Sequence, residues 1–180
     1  LASQKKQLFS FDMLGEAARS EEDCERYFKA YAKAIDVIGK QAKSKDINQN
    51  SGFSVKLSAL SCRLERRYWP KSCNALTQRM VQLAKEARRY NIPLTIDAEE
   101  FRRLEPSLYI FESLLAHPEL KGWGGFGLVV QAYTRHAGQV IDWLEVKART
   151  YKTRISVRLV KGAYWDTEIK IAQEKGLTNF

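Results

Sequence analysis

The sequence predicts an α/β protein built on a parallel sheet with crossover helices. Two patterns carry that prediction. Short apolar runs alternate with longer segments whose apolar residues recur at three- and four-residue spacing. Each interval between successive runs is long enough to hold one crossover helix, as parallel pairing requires. A third feature points the same way. The run Ile155-Ser156-Val157-Arg158-Leu159-Val160 reads as a strand, passes through Lys161-Gly162-Ala163, and opens a helix near Asp166. Two cations, a glycine and the aromatics Tyr164 and Trp165 gather where strand hands over to helix, and parallel α/β folds keep their ligands at such strand ends.

The elements follow in order. Leu8-Phe9-Ser10-Phe11 is a first apolar run. Ser20-Glu21-Glu22-Asp23 has the form of a capping box. Behind it Cys24, Tyr27, Phe28, Tyr31, Ile35 and Ile38 share one helical face, and Gly39 is the stop. Lys43 to Gly52 is polar and reads as a loop. Phe53-Ser54-Val55-Lys56-Leu57 is the next strand. Leu76, Met80, Leu83, Ala84 and Ala87 mark a helix that Asn91 and Pro93 end. Leu94-Thr95-Ile96-Asp97-Ala98 is a strand, and Leu108, Phe111, Leu114 and Leu115 mark a helix stopping at His117-Pro118. Gly122-Trp123-Gly124-Gly125 is a turn, and Phe126 to Ala132 is apolar enough to be buried on both faces. Val140, Ile141, Leu144 and Ala148 form the next helix. After the Arg158 strand, Ile169 and Ala172 belong to a short helix that Gly176 closes.

Composition narrows the function classes. At 180 residues, 44% hydrophobic and 28% charged, the chain can bury a sizeable core as one domain. No apolar run is long enough to span a bilayer. Leu1 to Lys6 lack the pattern of a signal peptide. The lack of an initiating Met and the end at Phe180 suggest a cut from longer sequence. Cys24, Cys62 and Cys73 form no Cys-x-x-Cys pair, which argues against metal ligation and for a reducing cytosol. The net charge of +9 could attract nucleic acid. Yet Arg63-Leu64-Glu65-Arg66-Arg67 and Lys85-Glu86-Ala87-Arg88-Arg89 interleave acids with bases, as solvated helix faces do. No helix-turn-helix, zinc spacing or basic-aromatic strip accompanies the charge. No Gly-x-Gly-x-x-Gly follows a strand, which disfavours a Rossmann dinucleotide site. His117 and His136 have no metal-ligand spacing and read as helix-end residues.

One pattern recurs at the strand ends. Lys56, Asp97, Gln131, and Arg158 with Lys161 each stand at or near the C-terminal end of an apolar run. A polar group inside an apolar strand is costly unless paired. A set of four at equivalent positions suggests a shared site on one barrel rim, though a structural ion pair is the alternative. Asp12 and Glu16, after the first run, either join that rim or mark a turn. Glu99 and Glu100 read as acids favouring a helix N-terminus.

These runs resemble a known family. Phe9-Ser10-Phe11-Asp12-Met13-Leu14-Gly15-Glu16, Val55-Lys56-Leu57-Ser58-Ala59-Leu60, Ile96-Asp97-Ala98-Glu99-Glu100, Val130-Gln131-Ala132-Tyr133 and Arg158-Leu159-Val160-Lys161-Gly162-Ala163-Tyr164-Trp165-Asp166 look like the successive strand motifs of proline dehydrogenase. The closer likeness is to the dehydrogenase domain of the bifunctional proline utilization A proteins. The resemblance implies a (β/α)8 TIM-type barrel that binds FAD and oxidises L-proline to Δ1-pyrroline-5-carboxylate, passing electrons to a membrane quinone. It implies a cytoplasmic protein, with any contact with the inner membrane peripheral.

The site roles come from the same resemblance. Arg158 would lie beside the flavin N5 region, and Lys161, Gly162, Ala163 and Trp165 would line the cofactor. Gln131 would bond the isoalloxazine edge and Ala98 would meet the flavin through its backbone. Lys56 would pair with the proline carboxylate, and Tyr164 would shape the pocket. Asp97 would be an active-site acid holding the charged network, supported by Asp12 and Glu16.

Only about five strands can be read across residues 1–180, against eight in the family barrel. The family's later His-containing strand motif and its final helix with paired arginines are not found, nor is an aldehyde dehydrogenase module. The expectation is therefore a partial barrel whose missing C-terminal part is a partner. Such a chain would be inactive alone, or at most a non-catalytic FAD-binding or assembly piece without turnover.

Overall fold

The computed structural model describes residues 7–64, 68 and 71–177. The element order is β1 (Ser10–Phe11), α1 (Glu21–Gly39), β2 (Gly52–Val55), α2 (Leu57–Leu60), α3 (Lys71–Arg89), β3 (Leu94–Ile96), α4 (Leu104–Ala116), β4 (Phe126–Gln131), α5 (Ala137–Thr150), β5 (Ser156–Val160) and α6 (Trp165–Glu174). The strands form one parallel sheet in the order β1-β2-β3-β4-β5. Strands that neighbour one another in simple chain order, each followed by helix, are the arrangement of a β/α barrel, whereas a doubly wound sheet reverses its order at a switch point. The registers Phe53↔Leu94, Leu94↔Phe126 and Leu128↔Val157 fix the strands against each other.

The sheet curls, and a side chain records how far. Arg158 on β5 donates through Nη1 to Ser10 Oγ on β1 and to Ser54 Oγ on β2, both at 3.0 Å. Strands lie about 4.8 Å apart, so the edges of a flat five-stranded sheet would stand roughly 19 Å from each other. One arginine cannot span that distance. The sheet must bend into a half-barrel with Ser10, Ser54 and Arg158 on its concave side.

The local chemistry of each helix is visible in its ends. The Asp23 N–H donates to Ser20 Oγ (3.1 Å), while the Asp23 carboxylate takes the Arg19 N–H. Glu21, Glu22 and Asp23 place negative charge in the first turn, where the helix dipole favours it. At the end of α3 Asn91 takes a left-handed φ of 55°, and the Ile92 N–H returns to Ala87 O at 3.0 Å. The Asn91 side chain then ties down the loop before β2 by donating to Ser44 O and Lys45 O.

The core lies between the convex face of the sheet and the helices. Leu76, Met80, Leu83, Ala84 and Ala87 of α3 are fully buried, as their spacing predicts. Tyr31 and Ile35 of α1, Ile110, Phe111 and Leu114 of α4, and Phe53, Leu94 and Phe126 of the strands join them. Every residue of β4 is buried. Ile141 departs from its predicted inward face and is 40% exposed, while Val140 and Leu144 carry the packing of α5.

Other boundaries also shift. Lys56, Leu57, Asp97 and Ala98 fall just beyond strands predicted to contain them, because β2 ends at Val55 and β3 at Ile96. Lys56 instead precedes the short α2. The predicted helical stretch at 63–67 is not helical at Arg63 and Leu64, and Glu65, Arg66 and Arg67 lie outside the described residues. Leu1 to Lys6 and Phe180 lie outside them as well.

The two edge strands are apolar and open. Phe9 just before β1, Phe11 in it, and Val157 and Leu159 on β5 are 40–58% exposed. Exposed apolar edges of this kind are surfaces for further pairing or packing.

Gly39 closes α1 against α3. A Cβ there would lie 2.2 Å from Cγ of Tyr90, whose hydroxyl is held by Asp36. Overpacking costs about 1–3 kcal/mol, more than the helix propensity Ala gains over Gly, roughly 1 kcal/mol. Gly39→Ala is therefore expected to lower the midpoint of thermal unfolding followed by circular dichroism, and an unchanged or raised midpoint would show that this contact is not tight.

Candidate active site

Four charged side chains meet on the concave face, three of them just past the C-terminal ends of their strands and Arg158 from within β5. Asp97 is delivered by β3, Lys56 by the residue after β2, Asp12 by the residue after β1, and Arg158 by β5. Lys56 Nζ contacts Asp12 at 2.5 Å and Asp97 at 3.4 Å. Arg158 Nη2 pairs with the other Asp97 oxygen. Asp97 thus takes a cation on each oxygen, and the chain of charges alternates in sign from Asp12 to Arg158.

The burial is uneven. The Asp97 side chain is 10% exposed, that of Lys56 16%, and that of Arg158 40%. Burial pushes the Asp97 carboxyl above the ordinary Asp range, and Arg158 and then Lys56 pull it back only in part. For Lys56 burial works against the charge, but the Asp12 and Asp97 carboxylates outweigh it and leave the amine above its usual value. The cluster therefore keeps a strongly held ammonium beside a carboxylate that is reluctant to ionise.

Backbone anchors position these groups. The Lys56 N–H donates to the Tyr31 hydroxyl at 3.3 Å, fixing the residue where β2 gives way to α2. Burial raises the Tyr31 hydroxyl well above the usual tyrosine range, so it stays protonated. Glu99 has a different role from the one its sequence position suggests. It is buried, its Oε2 accepts the Ser58 N–H in the first turn of α2 at 3.0 Å, and its Oε1 accepts from Arg103 at 2.6 Å. The carboxylate serves the N-terminus of α2 across the sheet, while the helix that follows it begins at Leu104 with its own acid, Glu105.

The turn after β5 forms a second group. Gly162 has φ of +108°, and a Cβ would sit 2.3 Å from Tyr133 and 3.0 Å from Gln131 Oε1. Only glycine fits there without displacement. Gln131, nearly buried at the end of β4, donates through Nε2 to Glu99 O (2.9 Å) and accepts the Ala163 N–H (3.2 Å). It ties the ends of β3, β4 and β5 together, and among the described residues its second amide hydrogen has no acceptor. Lys161 is exposed and makes no ion pair among the described residues. Tyr164 donates to Glu16 at 3.2 Å, and burial followed by the Glu16 charge raises its hydroxyl far above the usual range. Trp165 opens α6 with its side chain 45% exposed. Ala98 is half-buried beside Asp97.

The structure thus brings Asp12, Lys56, Asp97 and Arg158 into one cluster, pairs Glu16 with Tyr164, and joins Gln131 to the 161–163 turn. Ser10, Ser54, Tyr31 and Glu99 complete the arrangement, and the strand-end pattern does not single them out. Ser54 sits second-last in β2, fully buried, and a hydroxyl facing inward in a strand of Phe and Val was the available signal. Arg158 itself lies mid-strand, opposite Val129, and not at the end of β5. A groove of about 690 Å³ lies elsewhere, between Phe101, Arg102, Tyr133, Arg135, His136 and α6. None of the predicted site residues lines it.

The proline dehydrogenase family model matches residues 1–180. The chain is 46% identical over 172 residues to the bifunctional protein PutA of Salmonella typhimurium, covering 96% of this chain and 13% of that protein. It is 31% identical over 155 residues to proline dehydrogenase 1 of Bacillus subtilis, covering 86% of this chain and 43% of that one. A crystal structure of proline utilization A from Bradyrhizobium japonicum superposes with a TM-score of 0.90 at 50% identity, over 94% of this chain and 17% of that one. The chain therefore spans less than half the length of each of these relatives.

The cluster has a titration signature. Between the ordinary Asp value of 3.8 and the raised folded value, the folded chain holds the Asp97 proton more firmly than the unfolded chain does. Its contribution to stability is thus fullest below 3.8 and lost as pH rises through the folded value. Because Arg158 is the largest influence opposing burial, Arg158→Gln should move the Asp97 titration, followed by carboxyl carbon NMR, further up. An unmoved or lowered midpoint would mean that Arg158 does not act on Asp97.

Proposed function

This chain belongs to the proline dehydrogenase family, and on that premise we propose that it supplies five β/α units of a barrel that oxidises L-proline to Δ1-pyrroline-5-carboxylate with FAD and returns the electrons to quinone. The observation that carries this reading is the Asp12–Lys56–Asp97–Arg158 cluster on the concave face of a parallel half-barrel. The barrel edges support the proposed extent. Phe9, Phe11, Val157 and Leu159 offer apolar edge surface that three further strands would cover.

The residues at the rim fit the cofactor. A dinucleotide needs a cation for its diphosphate, a turn without a Cβ for close approach, and flat surface for its rings. Lys161, Gly162 and Trp165 provide these on consecutive turns of chain. Gln131 orients that turn through Ala163 and keeps one N–H to donate. Ala98 stands at the junction of the two groups. When bound, FAD supplies the hydride acceptor.

The chain's own groups bind and orient the substrate. The Lys56 ammonium is the buried cation that a proline carboxylate requires, and Asp12 and Asp97 hold it charged. A carboxylate entering the cluster would compete with Asp12, the more exposed of its partners. The Arg158 side chain stays partly exposed on the concave face and would place positive charge where reduction of the cofactor adds negative charge. Tyr164, protonated and fixed by Glu16, would shape the pocket. Transfer of hydride from the carbon beside the proline nitrogen needs that nitrogen's lone pair free, so the reactive substrate is the neutral amine. The protein would be cytoplasmic, with any membrane contact peripheral; among the described residues no helix is long and apolar enough to cross a membrane.

A second reading keeps cofactor retention without turnover, favoured by the open edges. The two separate in one experiment: FAD is added to the purified chain, the excess is removed, and the absorbance spectrum is taken before and after L-proline. A flavin band that bleaches with proline supports a complete site, and a band that persists supports the binding piece alone. Loss of the band would mean the five units do not hold FAD without the rest of the barrel.

In the intact enzyme, Lys56→Met should raise the KM for proline by about 10²-fold or more, the scale of one lost charge-assisted contact of roughly 3 kcal/mol. An unchanged KM would remove Lys56 from substrate binding. The kcat/KM should also rise with pH as proline loses its amine proton, and a flat profile would contradict neutral-amine oxidation.

A further inference from the structure

Cys24 and Cys62 are far apart in sequence, but the fold brings them together. Their sulfurs and a Glu21 carboxylate oxygen all lie within 4.8 Å of one another. Cys24 sits in the first turn of α1 and is fully buried. Cys62 is half-buried in the bend after α2, outside any helix or strand. Three elements converge here. The Ala18 N–H donates to Ser58 O at 2.8 Å, joining the lead into α1 to α2. Arg79 of α3 donates to Leu60 O at 2.8 Å and pairs with Glu21.

We propose that Cys24 and Cys62 form a reversible disulfide under peroxide, a redox-sensitive clasp between α1 and the segment that carries Lys56. An S–S bond is about 2.05 Å long, so the sulfurs need approach by less than about 3 Å. Rotation of one cysteine about χ1 moves its sulfur on that scale. Cys62 can make the movement because, among the described residues, no ladder or helix bond holds its backbone.

The asymmetry of the pair sets the order of events. Cys62 is the less buried of the two and is the one that meets the oxidant first. Its thiolate attacks hydrogen peroxide, an S–O bond forms, the O–O bond breaks, and the leaving hydroxide is protonated to water. Cys24 then attacks the Cys62 sulfenic acid. The S–S bond forms, the S–O bond breaks, and the Cys24 proton leaves with the hydroxide as a second water. Two thiols lose two electrons, and one peroxide becomes two waters. The second step is the slow one, because burial pushes the Cys24 thiol up to about 11 and the neighbouring Cys62 sulfur pushes the same way. Arg79 opposes that rise and favours the attacking thiolate.

Metal binding by the same three groups is the weaker use of the geometry. Glu21 already holds the Arg79 guanidinium, whose charge repels a cation. Cys73 is buried in α3 and is not part of the cluster, so it serves as an internal control.

The clasp closes a loop running from α1 through β2 and Lys56 to Cys62. It would confine the unfolded chain and fix the α1–α2 contact. Dilute hydrogen peroxide on the folded protein in its full-length form should remove the Cys24 and Cys62 thiols together and yield one cross-linked peptide containing both by mass spectrometry. Dithiothreitol should restore both thiols, and the midpoint of thermal unfolding should be higher before reduction than after it. Cys73→Ser should leave the cross-link intact, while Cys62→Ser should abolish it and leave Cys24 alkylatable after denaturation. Oxidation of Cys62 to sulfinic acid with Cys24 still free would overturn the proposal. So would stoichiometric zinc binding, tested with Zn²⁺ alone, that protects both thiols.

Discussion

The rim of this fold depends on how the Asp97 carboxyl is held. Asp97 is a nearly buried carboxylate at the end of the central strand of five, and burial alone would favour its neutral form. It remains an acceptor for two cations because Lys56, from the β2 side of β3, and Arg158, from β5 beyond β4, approach its two oxygens. Arg158 can do so only if the sheet curls, and the same guanidinium binds Ser10 and Ser54 across the concavity. A single charge requirement thus links the sheet's curvature to the composition of the rim. Removing one member would leave the others buried without compensation, which is why such clusters behave as units.

The helices deliver these groups to fixed positions. Tyr31 reaches from α1 to hold the Lys56 backbone, and Glu99 reaches from beyond β3 to the first turn of α2. Gln131 binds the β3 and β5 exits through its two amide atoms. The rim is therefore braced by polar side chains that touch backbone, while the convex side is held by close apolar packing. This division suits a site that must keep charged groups in place in partly excluded water. The Cys24–Cys62 pair lies on the same α1–α2 contact that anchors Lys56, so the proposed clasp acts on the segment carrying Lys56.

Much of this was legible in the residues. The five strands, the parallel order and the faces of α1 and α3 follow from apolar periodicity, because burial on one side is what creates that periodicity. The strand-end charges were visible because a polar residue in an apolar run is conspicuous. Strand boundaries were not: nothing in Val55-Lys56-Leu57 shows that α2 begins one residue after Lys56. Glu99 was misread as a local helix acid because its true partner, the Ser58 amide, is supplied by a different strand unit. Cys24 and Cys62 gave no motif, since their proximity arises from the packing of α1 on α2 and not from spacing. The role of Arg158 in joining β1 to β5 likewise needs curvature, which no local pattern encodes.

The central claim is that Asp97 and Arg158 act as one unit inside the curled sheet. A double-mutant cycle on equilibrium unfolding with Asp97→Asn and Arg158→Met tests it directly. The account predicts that Arg158→Met alone is the more damaging change, that adding Asp97→Asn recovers part of the loss, and that the pair couples by about 1–3 kcal/mol. The partial exposure of Arg158 places the expected value toward the lower end of that range. Strictly additive effects would show that the two side chains are independent, and the curl of the sheet would then have to rest on apolar packing alone.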